Sequence, residues 1–227
     1  MGRARDISKV FSTNTALATD SEISAFNYLT QSSASTVYQT KATAGLTLLT
    51  PASIANTGGT ASIGANGTVS FTSASAISLN DVFSTTYDDY RIIIVASSAV
   101  AGTDLTLRVR VSGSDLSTGT YTYNRIIGDG GTLNSARSSA QTSIRCGNTT
   151  LSEETSYIID VVNPFLTKRT VFTINNSNQG SGAALDMTAA VVTNATSYTG
   201  FTILAGNNLT GRLSVYGYNK WSGIKEI

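Results

Sequence analysis

Hydrophobic and polar residues alternate in short runs along most of the chain after residue 68. In the run 105–111, leucine and valine occupy every second position, with threonine and arginine between them. A period of two residues is typical of an antiparallel strand that buries one face. The runs 90–95 and 120–123 are also rich in β-forming residues, and Ser, Gly and Asp separate the three runs. We therefore predict that they form a meander of neighbouring strands.

Eleven short runs of this kind follow one another, separated by turn-forming residues. The predicted strands are 68–72, 76–79, 89–96, 104–112, 119–127, 142–146, 156–162, 169–175, 184–193, 200–204 and 211–218. Asn163 and Pro164 are predicted to turn the chain between two of them, because proline cannot donate a ladder hydrogen bond. The pattern does not alternate with helices, as an α/β fold would. It predicts an all-β protein in which residues 68–220 form a jelly-roll-like antiparallel β-sandwich.

The first fifty residues do not show this alternation. Large apolar side chains are spaced irregularly among Ser, Thr, Asn and Gln, and a short helical turn is indicated near residues 20–26. A segment without its own core becomes ordered only on a partner. We predict that residues 1–50 form an extended, partly helical arm and that 51–67 form a Gly-rich connector without regular elements. Residues 221–227 are predicted to be a C-terminal tail.

The arm combines a few positive charges with apolar side chains that could anchor it. The candidate docking residues are Arg3, Arg5, Ile7, Val10, Phe11, Phe26 and Tyr28. Full burial of one such apolar side chain stabilises a complex by about 1.5–3 kcal/mol. A few cations give only weak affinity for nucleic acid, so we expect the arm to dock on a protein surface.

Composition narrows the chemistry that the chain can perform. It contains no histidine and one cysteine, 13% of its residues are charged, and its formal net charge is +1. Without histidine, Ser-His-Asp and Cys-His catalysis and histidine-ligated zinc are excluded. A single thiol cannot form an internal disulfide, so we expect Cys146 to be a small buried side chain. We predict a non-enzymatic protein without a cofactor, without direct nucleic-acid binding and without a membrane span.

Small groups of acidic residues are candidates for a metal site or a catalytic pair. Asp81, Asp88, Asp89 and Asp115 could offer oxygen ligands to Ca²⁺, but their spacing does not match an EF-hand loop. Glu153 and Glu154 are adjacent, and adjacent residues of a strand point to opposite faces rather than into one groove. We therefore expect neither site, and an enzyme that degrades polysaccharide is the least favoured function.

Aromatic residues are the best candidates for contact with a sugar receptor, because a ring offers an apolar face to a pyranose. Tyr121, Tyr123 and Trp221 are the candidate receptor contacts. The alternative is that alternating tyrosines form cross-strand pairs or contacts between subunits.

Three stretches of the chain resemble virion proteins of tailed bacteriophages, especially phages of marine bacteria and cyanobacteria. The start, Gly-Arg-Ala-Arg-Asp-Ile after Met1, resembles the head of the virion-attachment region in many cyanophage tail-fibre-like and structural proteins. The runs 87–94, 105–110 and 121–124 are similar to the body of head-fibre and tail-fibre β-sandwich domains. The run 213–218 resembles their closing strand.

The resemblance implies a structural protein that is assembled in the host cytoplasm and kept in the virion. Its partners would be capsid or tail proteins and further copies of itself, often as trimers, with no cofactor and no catalytic residue. Capsid decoration, a head fibre and a tail-fibre component all remain open. The alternative function is a receptor- or glycan-binding adhesin of the tail, which would contact a glycan of the host surface.

Overall fold

The structure, a computed structural model, describes residues 45–129, 131–149, 153–177 and 185–219. These residues form fourteen strands and no helix. The strands are β1 (Leu46–Leu49), β2 (Ser53–Thr57), β3 (Thr60–Ile63), β4 (Val69–Asn80), β5 (Asp89–Ser98), β6 (Asp104–Val111), β7 (Ser114–Asp115), β8 (Tyr121–Asp129), β9 (Thr132–Gln141), β10 (Ile144–Asn148), β11 (Thr155–Val162), β12 (Thr170–Ser177), β13 (Leu185–Val192) and β14 (Gly200–Tyr218). The prediction of an all-β protein is confirmed for this part of the chain.

The strands pair antiparallel in one continuous sheet. Its main path runs β10-β6-β14-β5-β11-β12-β13-β8-β9. Strand β4 pairs with the other side of β14 and carries β2 and β3, while β1 pairs with the end of β14 and β7 with β6. The first strands of the described chain are therefore fastened to its last strand.

Two long strands, β4 and β14, carry the sheet around a corner. Residues 200–205 of β14 pair with β6, whereas residues 209–217 pair with β5. Between these two parts, the pairing of β14 with β4 shifts register. The sheet folds over at this corner, and β10 contacts β8, β12 and β13. This arrangement of two facing layers is consistent with a β-sandwich.

We call the two parts of the sheet the small layer and the large layer. The small layer comprises β10, β6, β7, β2, the first part of β14 and the second part of β4. The large layer comprises β9, β8, β13, β12, β11, β5, β3, β1 and the remaining parts of β14 and β4. The core lies between them and draws fully buried side chains from both, such as Leu107 and Phe201 on one side and Ile159 and Phe172 on the other.

The predicted alternation of β6 is confirmed. Leu105, Leu107 and Val109 are fully buried, while Arg108 and Arg110 lie on the opposite face of the strand. The predicted meander is wrong, because β5, β6 and β8 are not neighbours. Strand β5 lies between β11 and β14, β6 between β10 and β14, and β8 between β9 and β13. The connection from β5 to β6 crosses the corner from one layer to the other, so the two strands cannot pair.

The predicted connector 51–67 contains β2 and β3, which run along the edge of β4. Gly58 and Gly59 do not end this ribbon, because their positive φ angles of 69° and 45° form a bulge within it. A Cβ on Gly59 would lie 1.9 Å from the carbonyl oxygen of Thr72, so only glycine fits there. The expectation of no regular element in this segment is therefore wrong.

One predicted turn is confirmed, and most of the two termini is not described. The turn at Asn163 and Pro164 joins β11 to β12. Strand β1 falls within the predicted arm, so at least residues 46–49 belong to the sheet. The rest of the arm, its helical turn and its seven candidate docking residues lie outside the described residues, as does the tail 221–227.

Candidate functional site

One outer surface of the sheet carries most of the exposed large hydrophobic side chains. Of the nine such side chains in the described residues, eight lie on the outer side of the large layer, and the ninth, Val100, follows β5. We call these eight the outer apolar face: Leu46, Ile126, Leu133, Ile158, Val162, Val171, Leu185 and Met187. Monomeric proteins scatter exposed hydrophobic residues singly, so this concentration on one face indicates an interaction surface.

The strand register places these side chains side by side. Ile158 of β11 opposes Asn175 of β12, Asn175 opposes Met187 of β13, and Met187 opposes Ile126 of β8. These residues form one row across four strands that lie about 4.8 Å apart. Because side chains two residues apart share a face, Leu185 lies next to this row. The face is therefore continuous across four strands.

A shallow apolar groove lies within this face. It is lined by Asn124, Ile126, Thr173, Ile174, Met187, Thr188 and Ala189. The small side chains of Thr173 and Ala189 are cross-strand partners on β12 and β13, and they form the floor. The larger Ile126 and Met187 stand one row away. The face thus presents both projecting side chains and a depression that could receive one.

An ion pair with an aromatic neighbour lies at the margin of the outer apolar face. Arg91 donates from Nε to Asp160 Oδ1 and from Nη2 to Asp160 Oδ2, both at 2.8 Å. The hydroxyl of Tyr218 donates to the same carboxylate at 2.9 Å. The Arg91 guanidinium lies 5.7 Å from the centre of the Tyr218 ring. The hydrogen bonds from Arg91 hold the pKa of Asp160 below its usual value, and those to Asp160 raise the pKa of Arg91. This pair adds no net charge.

The outer surface of the small layer is polar by contrast. Arg110 of β6 donates to Asn80 Oδ1 at 3.0 Å, to Ser78 Oγ at 2.9 Å and to Thr202 Oγ1 at 2.7 Å. It also forms an ion pair with Asp115 of β7. These contacts tie β4, β6, β7 and β14 together. The two arginines that sequence analysis placed on one face of β6 are therefore structural, since Arg108 also donates to the carbonyl of Thr142 at 3.0 Å.

An ion pair is buried directly beneath the outer apolar face. Arg125 of β8 and Asp186 of β13 are each 6% exposed, and Arg125 Nε lies 3.2 Å from Asp186 Oδ1. Asn176 is the cross-strand partner of Asp186, and Thr188 is the cross-strand partner of Arg125. Both side chains are also buried. This cluster was not predicted from the sequence. Arg125 shares the parity of Tyr121, but the pattern alone does not tell whether that parity points inward.

Strand β10 covers this cluster from the small layer. A Cβ on Gly147 would come within 2.9 Å of the Asn176 side chain, and the φ of Gly147 is +130°, so glycine permits this close approach. Cys146 is fully buried, which confirms the predicted packing role, and burial raises the pKa of its thiol. A thiol that is buried and protonated is a poor nucleophile.

The structure corrects one of the candidate receptor contacts. Tyr121 is fully buried, donates from its hydroxyl to the carbonyl of Leu116 at 2.8 Å and accepts from the amide of Val109 at 3.0 Å. It is a core residue, because its strand position faces the opposite layer, and cannot touch a receptor. Tyr123 is half-buried and packs against the core. Trp221 lies outside the described residues.

Several acidic residues are engaged by arginine. Glu154 contacts Arg212 Nη1 at 3.2 Å, and Asp104 forms an ion pair with Arg145. Within the described ranges, no three acidic or cysteine side chains are grouped so as to hold a metal ion. The same residues include no helix of the length and hydropathy required to cross a membrane.

No protein-family model matches this chain, and no curated protein is significantly similar to it in sequence.

Proposed function

We propose that the protein is a non-enzymatic structural component of a tailed-phage virion. In this proposal the arm docks on the capsid or tail, and the sheet forms a jelly-roll-like sandwich that projects outward. The observation that supports an assembly role is the outer apolar face. A face of this kind is covered by neighbouring protein in an assembled particle, whereas a protein that acts alone rarely exposes a contiguous apolar patch above a few hundred Å².

Two further features support this proposal. The start of the chain and the runs that became β5, β6 and β14 resemble virion-attachment and fibre-domain sequences. Five acidic side chains of the described residues form ion pairs with arginine, among them Asp160, Asp115 and Asp186. A particle protein that works by packing requires only such structural use of its charges.

The proposal predicts that incorporation into particles depends on apolar residues of the arm. In a phage that encodes the chain, the double variant Ile7→Ser with Phe11→Ser should lose most of its incorporation, because two anchoring side chains together supply about 3–6 kcal/mol if fully buried. Quantitative mass spectrometry of purified particles, normalised to the major capsid protein, measures this effect.

The matched control changes neighbouring polar residues, Ser8→Ala with Ser12→Ala, and should leave incorporation unchanged. Circular dichroism of the purified variants checks that the sheet is retained. Full occupancy of particles by the Ile7 and Phe11 variant would contradict docking through the arm. Gold labelling of intact particles would then distinguish capsid decoration from a tail appendage, and finding the protein in neither place would refute the virion role.

A further inference from the structure

We infer that the outer apolar face binds a second copy of this chain, sheet against sheet, across a two-fold axis. This inference rests on the proposed function in that it takes the protein to act within an assembly. It goes further by naming the surface and its occupant. A face that packs on its own copy must be large enough, compatible with itself in charge and self-complementary in shape.

The area of the face suits a stable dimer. Seven of its side chains lie on β8, β9, β11, β12 and β13 and are between 38% and 75% exposed. Together they expose on the order of 600 Å², before the intervening Thr, Ala and Asn are counted. A standard interface buries roughly 800 Å² on each partner. Contact across these five strands reaches that size.

Two ion pairs of the face are satisfied within the chain. Arg91 and Asp160 bind each other, and Arg212 pairs with Glu154 farther along. A partner would therefore gain little from these four charged groups, and the contact must depend on the hydrophobic side chains. A second copy supplies a hydrophobic surface of the same extent.

The face also carries both the projections and the depression that a two-fold contact can use. The groove over Thr173 and Ala189 lies one row from the projecting side chains of Ile126 and Met187. In a two-fold contact, a projection of each copy meets the depression of the other. Packed sheets lie about 10 Å apart, a distance that interdigitated Ile and Met side chains fill.

The alternation of β13 provides an independent reason for a partner. Leu185 and Met187 point outward, while Asp186 and Thr188 point inward. Ordinary patterning would place the hydrophobic residues inside, but the register with β12 and β8 fixes the opposite orientation. The chain thus holds two large hydrophobic residues against solvent, and a second copy would remove them from water.

The test measures self-association of the full chain by sedimentation equilibrium. We expect the natural chain to dimerise, and the variants Met187→Glu and Ile126→Glu each to raise the dimer dissociation constant at least tenfold. The matched control is Val100→Glu, because Val100 is 48% exposed but lies away from the face. Circular dichroism and thermal melting of each variant verify that the sheet is intact.

Protection from labelling locates the contact. In Ala189→Cys, the new thiol should react with a maleimide more slowly at concentrations at which the chain is dimeric than at those at which it is monomeric, because Ala189 is exposed at the face in the single chain and the natural thiol of Cys146 is fully buried. Val100→Cys should react at the same rate at both concentrations. Dimers of unchanged affinity in Met187→Glu, or no protection at Ala189→Cys, would overturn the inference, as would a monomeric natural chain.

These results separate the two proposals. A natural chain that is monomeric in solution yet fully incorporated into particles would overturn the two-fold contact alone. A dimer that uses the outer apolar face but never enters particles would overturn the virion role alone.

Discussion

The two outer surfaces of the sheet differ in the contacts that their side chains make. On the small layer, Arg110 binds three polar side chains and an aspartate from other strands, so this surface is stabilised within the chain. On the large layer, hydrophobic side chains such as Met187 and Ile158 face outward and contribute little to the isolated fold. The difference separates a surface that is stabilised within the chain from one whose hydrophobic side chains remain exposed.

The largest expected effect comes from the buried ion pair beneath the outer apolar face. Asp186→Ala leaves the Arg125 guanidinium buried without its carboxylate, and removal of one partner of a buried pair costs about 3–5 kcal/mol. Urea denaturation followed by circular dichroism measures the free energy of unfolding. The experiment tests whether the large layer depends on its interior charges rather than on its outer side chains.

The control for this prediction removes both charges. Arg125→Met with Asp186→Leu replaces the pair by apolar side chains of similar length, and we expect this double variant to be clearly more stable than Asp186→Ala. A double variant as unstable as the single one would show that the cost comes from lost packing around β8 and β13, not from an unpaired buried charge.

A smaller effect distinguishes the two outer surfaces directly. Arg110→Met should reduce the free energy of unfolding by about 1–3 kcal/mol, because Asp115 and three polar side chains each lose one donor, while Thr202 still donates to Asp115. Met187→Gln should change it by less than about 0.5 kcal/mol when measured at concentrations at which the chain is monomeric. Equal losses in the two variants would remove the contrast between the surfaces.

Sequence patterns predicted the strands whose two faces differ clearly in polarity. In β6 the apolar parity is unbroken, and the structure buries those residues. Strand β9 was not predicted, because Thr132–Gln141 contains one large hydrophobic residue and is exposed along nearly its whole length. Hydrogen bonds to β8, rather than side-chain burial, form this strand. A strand made almost entirely of polar residues shows no alternation of hydrophobic and polar positions.

The outer apolar face could not be predicted for a related reason. Alternation reveals that Leu185 and Met187 share a face of β13, but it does not tell which face meets the core. That choice depends on pairing with β12 and β8, which are distant in the chain. The same ambiguity concealed the inward position of Arg125 and made Tyr121 a candidate for the surface. Partner strands, not local pattern, decide these positions.

The smallest expected effect is a dependence on pH at the margin of the outer apolar face. The pKa of Asp160 is lowered in the folded chain, chiefly by hydrogen bonds from Arg91, so ionised Asp160 stabilises the fold above the unfolded pKa near 4. This contribution is lost as the pH falls through the lowered folded value. Because the side chains of Arg91 and Asp160 are 34% and 29% exposed, solvent screens the pair, and its contribution should stay below about 1 kcal/mol. Asp160→Asn should therefore be slightly less stable than the natural chain at pH 6, with the difference shrinking in acid. Thermal melts at pH 6 and pH 3 measure it, and a difference that grows in acid would contradict the assigned sign.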